Sequence, residues 1–239
     1  MALTKPDFVS KQQARGPRLT DYGFMHIPKT GGTGVVAFGR KVMDTGHPFP
    51  LVFPHGWTAD AIITKLPGIR LCFVVRDPLA RTISAFESRL RMGRPRYNSP
   101  WSVEEAVAFS FFPDAFSLLE ALASDDERLK SAAWFGMKNI SHLKRNYQFY
   151  FKSVDHLDAI ASNIGIVSDI TEIDRFIARM GELAEVPAEF ISQHYERQHV
   201  SPKPTDAMLD NLSAAAAAAV RDFLAPEYVL YEYLKTFKE

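Results

Sequence analysis

Along the chain, short apolar runs alternate with stretches whose apolar residues recur every three or four positions, the pattern of strands interleaved with helices. The run YGFMHI at 22–27 predicts a first strand, and VVAFGRKVMD behind it a helix ending near Asp44. PFPLVFPHGW holds too many prolines for a long strand, which leaves LVF as a short parallel one, and TADAIITKL reads as a helix with Thr58 as N-cap. RLCFVV at 70–75 is an uninterrupted apolar run of strand length, as expected of a central parallel strand covered on both faces. RDPLARTISAFESRLRMG then places Asp77 as N-cap, Pro78 at the first helical position and Gly93 as the stop. Residues 100–160 show helical spacing throughout, IGIVSD is a further short strand, and TEIDRFIARMGELA an amphipathic helix with Thr171 near its start. HYERQHVSPKPTD reads as a loop, and the segment from Ala207 onward as a helix, a break at Pro226 and a second helix. The run of alanines at 214–219 favours helix and permits close packing.

Strands alternating with helices predict an α/β fold: an open, mostly parallel sheet flanked by helices, with a helical insertion at about 95–160. The expected organisation is a polar N-terminal arm over 1–20 and one domain over 21–239. In such sheets ligands sit beyond the carboxyl ends of the strands. The polar turns after YGFMHI and after RLCFVV both lie at carboxyl ends and are expected to face one ligand.

Composition narrows the field. With 239 residues, 46% of them hydrophobic, the chain can bury a sizeable core. Its 28 basic residues balance 28 acidic ones, so no global field attracts nucleic acid or an anionic membrane, and an anionic ligand must be held by a local site. Cys72 is the single cysteine and lies within RLCFVV, which fits a buried strand residue in a reducing compartment. The first residues lack the apolar core of a signal peptide and no later run is long enough to span a bilayer, so the expectation is a cytoplasmic protein.

The candidate chemistry begins at HIPKTGGTG, residues 26–34. Glycines between a strand and a helix let backbone N–H groups approach an oxyanion, and the helix adds its positive end. A Walker A loop would place its lysine after the glycines, whereas Lys29 precedes Gly31 and Gly32, and a dinucleotide G-x-G-x-x-G register is also absent. HIPKTGGTG resembles instead the 5′-phosphosulfate loop of sulfotransferases that use 3′-phosphoadenosine 5′-phosphosulfate (PAPS), in the carbohydrate branch containing heparan sulfate 2-O- and 6-O-sulfotransferases and bacterial relatives. VVRDPLARTISAF resembles the 3′-phosphate segment of the same family. FPHGWTADAI is similar to a histidine-containing segment of the 6-O branch, and PEYVLYEYL to the closing helix, while ERQHVSPKP has His199 where relatives carry an asparagine.

The resemblance implies a P-loop-like sulfotransferase fold, PAPS as sulfuryl donor, no metal, and a carbohydrate or other hydroxyl-bearing acceptor. Lys29 would stabilise the charge on the leaving phosphate, with Thr30, Gly31, Gly32, Thr33 and Gly34 as the 5′ cradle. Arg76 and Ser84 would hold the 3′-phosphate, joined by Arg81 unless that residue pairs with an acid on the helix surface. Gly34 departs from the family, which has Ser or Thr there, so a side-chain donor is lost. His55 matches the candidate base of the 6-O branch; His142, His194 and His199 are the alternatives, and His26 is expected to brace the loop. Arg89, Arg91, Arg94 and Arg96 form either a solvated face or a surface for an anionic polysaccharide. Two further readings stay open: a nucleotide-binding relative without turnover, and an atypical magnesium-dependent kinase.

Overall fold

The computed structural model describes residues 18–95, 97–195 and 209–237. It is an α/β structure around a four-stranded, all-parallel sheet. In chain order the elements are β1 (Arg18–Met25), α1 (Gly32–Asp44), β2 (Phe49–Phe53), α2 (Ala59–Lys65), β3 (Arg70–Val75), α3 (Pro78–Leu90), α4 (Val103–Phe111), α5 (Ala115–Ala121), α6 (Glu127–Asn139), α7 (Tyr147–Phe151), α8 (Val154–Ala159), β4 (Ile164–Asp169), α9 (Ile173–Leu183), α10 (Ala188–His194) and α11 (Ala214–Lys235). The described residues form two compact units, one of 18–75, 150–195 and 232–237, the other of 76–95, 97–149 and 209–231.

The sheet belongs to the first unit, with strand order β2-β1-β3-β4. After β1 the chain turns to one side for β2, then crosses back to the other side for β3. The carboxyl ends of β1 and β3, which pair directly, therefore flank a point where the winding reverses, the usual ligand position in open α/β sheets. β2 lies at an edge, which is where Pro50, lacking a ladder N–H, is tolerated. One face of the sheet presents Phe24, Cys72, Val74 and Ile166 to α1 (Val35, Phe38, Val42), α9 (Phe176, Ile177, Met180) and Val186. On the strand residues between, Phe73 meets Phe151 with ring centroids 5.0 Å apart.

The second unit is helical and packs Phe86, Ala108, Leu118, Leu119, Met137, Val220 and Leu224 into its own core. An ion pair lies inside it. Arg89 and Glu105 are 4% and 1% exposed, and the guanidinium donates through Nε (2.8 Å) and a terminal nitrogen (2.6 Å) to the two carboxylate oxygens. Glu105 also accepts from the backbone N–H groups of Ser141 and Ser102, while Arg89 donates to the carbonyls of Ser99 and Pro100. Every strong polar atom of the pair thus has a partner, without which its burial would be prohibitive. Arg89 is consequently no part of a surface for polyanions; Arg91 and Arg94 bond to neighbouring groups of their own segment, and Arg96 lies outside the described residues.

Several expected boundaries move. β1 begins at Arg18 rather than Tyr22 and ends at Met25, with a register break between Leu19 and Gly23; the rest of the expected arm lies outside the described residues. His194 closes α10 instead of opening a loop. The break expected at Pro226 does not occur: α11 runs through it. Proline removes one helical hydrogen bond, but buried Val220, Leu224, Glu227, Leu230 and Leu234 keep helical spacing on both sides, and that packed stripe outweighs the local cost.

Arg89→Met would leave Glu105 buried without its counter-charge and is expected to lower stability by about 3–5 kcal/mol, read by chemical denaturation. Desolvation alone would raise the Glu105 pKa, but Arg89 and the N–H donors outweigh it and hold it down from 4.5 to about 2. The stabilisation from Glu105 is therefore complete above its ordinary value and is lost as pH falls toward about 2, a window visible in acid unfolding of the parent that is absent in Arg89→Met.

Candidate functional site

The turn from β1 into α1 has little freedom. Lys29 adopts φ 69° and Gly31 φ 84°, both left-handed, with Thr30 between them, and α1 begins at Gly32. For lysine this conformation costs on the order of 1 kcal/mol, the kind of strain that surrounding structure must hold in place. A Cβ on Gly31 would approach Ile173 to 2.5 Å, and one on Gly32 would lie 2.1 Å from the His26 ring. The buried Thr30 hydroxyl donates to the Ile27 carbonyl at 3.0 Å and ties the turn back onto the strand. Alternating backbone conformations of this kind point successive N–H groups into one concavity, and the first turn of a helix has no internal acceptors for its own N–H groups. The turn therefore has backbone N–H groups suited to an oxyanion, and Lys29 lies within it.

Two of the expected cradle residues contribute less than their type suggests. The Thr30 side chain is occupied within the turn. The Gly34 N–H donates to the Gly31 carbonyl at 2.9 Å, so this position offers neither a hydroxyl nor an outward backbone donor. Thr33 is exposed at the start of α1 and Gly32 is buried against His26.

His55 lies just beyond β2, the neighbour of β1. Its Nδ1 is 2.6 Å from the His26 carbonyl, an acceptor, so Nδ1 carries a proton and the neutral ring has its lone pair on Nε2. The rings of His26 and His55 are 4.2 Å apart, and the Tyr150 hydroxyl donates to the His55 carbonyl at 2.8 Å. His26 thus braces the loop, as expected, and also fixes the tautomer of His55. A few residues on, Asp60 of α2 binds both Lys152 and His156, and its carboxyl is held below the usual range first by the Lys152 hydrogen bond and then by that of His156. The segment carrying His55 is therefore tied at both ends to residues 150–156.

In the second unit, Asp77 caps α3 by accepting from the Ala80 N–H at 2.9 Å, and also accepts from the Tyr228 hydroxyl. Arg76, 8% exposed, is clasped by Tyr147, whose hydroxyl accepts from the Arg76 N–H at 2.8 Å and donates to the Arg76 carbonyl at 2.6 Å. Glu227, buried in α11, accepts from the N–H groups of Tyr147 and Gln148 at 2.7 and 3.1 Å. Burial raises the carboxyl of Glu227 above its ordinary value, against the opposing charge of Arg81.

Arg81 is 1% exposed, makes no ion pair with a surface acid among the described residues, and donates to the carbonyls of His142 and Arg145 while its guanidinium lies 5.6 Å from the Tyr147 ring centre. Ser84 is half-buried in the second turn of α3. Among the alternative bases, His142 is buried and His194 bonds through Nδ1 to the Phe190 carbonyl; His199 lies outside the described residues. Sequence reasoning did not single out Tyr147, Tyr150 or Glu227, because NYQFYF at 146–151 reads as helix core and PEYVLYEYL as a closing helix; the only hint is that buried tyrosines need a partner for their hydroxyls.

Comparison with protein-family models, curated proteins and solved structures returns no match for this chain. Among the described residues, no helix is long and apolar enough to cross a membrane.

Gly32→Ala is expected to displace the His26 ring and with it the His55 anchor, lowering stability by about 1–3 kcal/mol and shifting both imidazole NMR signals. Gly56→Ala, with nothing within 4 Å of the added Cβ, is the matched control and should change stability by under about 0.5 kcal/mol. Equal effects of the two substitutions would contradict the packing described.

Proposed function

We propose that the protein is a sulfotransferase that moves a sulfuryl group from PAPS to an acceptor hydroxyl, on a carbohydrate by the resemblance of its motifs. The observation that carries this reading is the loop at 28–34: left-handed Lys29 and Gly31, two glycines without room for a side chain, and a helix N-terminus, all at the reversal point of a parallel sheet. Such a cradle fits a phosphate, and a lysine within it fits a reaction in which negative charge builds on a phosphate oxygen.

The resemblance assigns the tasks: the N–H groups of the loop to the 5′-phosphate, and Arg76 with Ser84 to the 3′-phosphate. His55, protonated on Nδ1 by its bond to the His26 carbonyl, accepts the proton of the acceptor hydroxyl on Nε2. Lys29 stabilises the bridging oxygen as its bond to sulfur breaks and the acceptor oxygen bonds to that sulfur. The proton ends on His55 and the electron pair on the departing bisphosphate.

A second reading, a nucleotide-binding relative without turnover, is favoured by one observation: the Gly34 N–H is already bonded to Gly31, so the cradle is a donor poorer than its sequence suggests.

The distinguishing test is transfer of labelled sulfate from PAPS to a panel of polysaccharides and oligosaccharides. Lys29→Gly relieves the left-handed strain and is expected to leave the melting temperature unchanged or higher, while turnover falls about 100-fold or more. Turnover retained in that variant would remove the assigned role of the lysine. Binding of the donor without transfer to any acceptor would favour the second reading.

A further inference from the structure

The geometry points to Tyr147 as the positioning residue for Arg76, and through it as the residue that sets preference for a 3′-phosphorylated nucleotide; this rests on the reading of Arg76 given above. Arg76 lies where β3 has ended and α3 has not begun, so its own N–H and C=O belong to neither element. In an extended residue these two groups point to the same side, where a neighbouring strand would normally pair with both. Here a single phenolic hydroxyl takes that place, accepting from the N–H and donating to the C=O. One hydroxyl thus fixes the peptide planes on both sides of Arg76, and with them the direction in which its Cα–Cβ bond leaves the backbone.

Tyr147 is held in turn on three sides. Its own N–H is received by Glu227 at 2.7 Å, its ring stacks on Tyr231 with an interplanar angle of 12°, and the Arg81 guanidinium lies over its ring, 5.6 Å from the ring centre. Its side chain is fully buried, so the hydroxyl does not exchange its role with water. The buried side chains of Arg81 and Glu227 acquire a purpose in this arrangement: they hold the ring that orients the arginine.

The test is calorimetric titration of adenosine 3′,5′-bisphosphate and of AMP into the whole protein and into Tyr147→Phe, which removes only the hydroxyl. The ratio of bisphosphate to AMP affinity is expected to fall roughly 10-fold, as for a buried N–H and C=O left without their partner. In an Arg76→Ala background the same substitution should leave the ratio unchanged, an outcome that a merely structural role would not produce. A ratio that does not move in Tyr147→Phe, or that falls equally in both backgrounds, overturns the inference. If Tyr147→Phe fails to fold, Glu227→Gln, which weakens the anchor of the Tyr147 N–H, is expected to lower the ratio in the same direction. A parent protein that binds the bisphosphate no better than AMP would overturn the reading of Arg76 and this inference with it, whereas a preference present in the parent and kept in Tyr147→Phe overturns the inference alone.

Discussion

The chain must pass from β1 into α1 at the reversal point of the sheet, in a turn that two left-handed residues make possible and two glycines keep open. Much else in the sheet unit follows from that constraint. Because Gly32 has no side chain, the His26 ring can lie over it; because His26 is held there, its carbonyl is in place to receive the His55 proton. Because Gly31 has no side chain, Ile173 of α9 can pack against the turn and close the core beneath it. Packing and site geometry are therefore set by the same few atoms, and a methyl group at either glycine disturbs both.

The helical unit solves a different problem, the burial of charge. Arg89 with Glu105, and Arg81 beside Glu227, lie inside it, and each guanidinium also satisfies backbone carbonyls at places where helices end or loops turn. Those carbonyls would otherwise be orphaned in an apolar interior, at a cost comparable to the net gain of several ordinary hydrogen bonds. The arginines thus act as internal staples for irregular backbone.

The parts of this architecture that depend on local pattern were legible in the sequence. RLCFVV is buried from Leu71 onward and is central, Thr58 and Asp77 cap their helices, and the Gly-rich turn sits at a carboxyl end. What was not legible depends on distant partners. The pattern of charges around Arg81 and Arg89 gives no sign that both are buried, since the deciding acid or carbonyl lies far along the chain. Pro226 reads as a break on propensity, and only the buried stripe of α11 on both sides overrides it. The hydroxyls of Tyr147 and Tyr150 are likewise invisible in NYQFYF, because an apolar helix face and a pair of hydrogen-bonding clasps have the same spelling.

The sheet, the glycine turn and the anchored histidine are what support the proposal of a donor nucleotide with phosphates at two positions. The most direct test is calorimetric titration of the parent protein with adenosine 3′,5′-bisphosphate, with and without magnesium, beside magnesium ATP. Micromolar binding of the bisphosphate that does not depend on magnesium is the predicted result. No binding, or a preference for magnesium ATP, would contradict it, and the loop would then be an anion cradle for a different reaction.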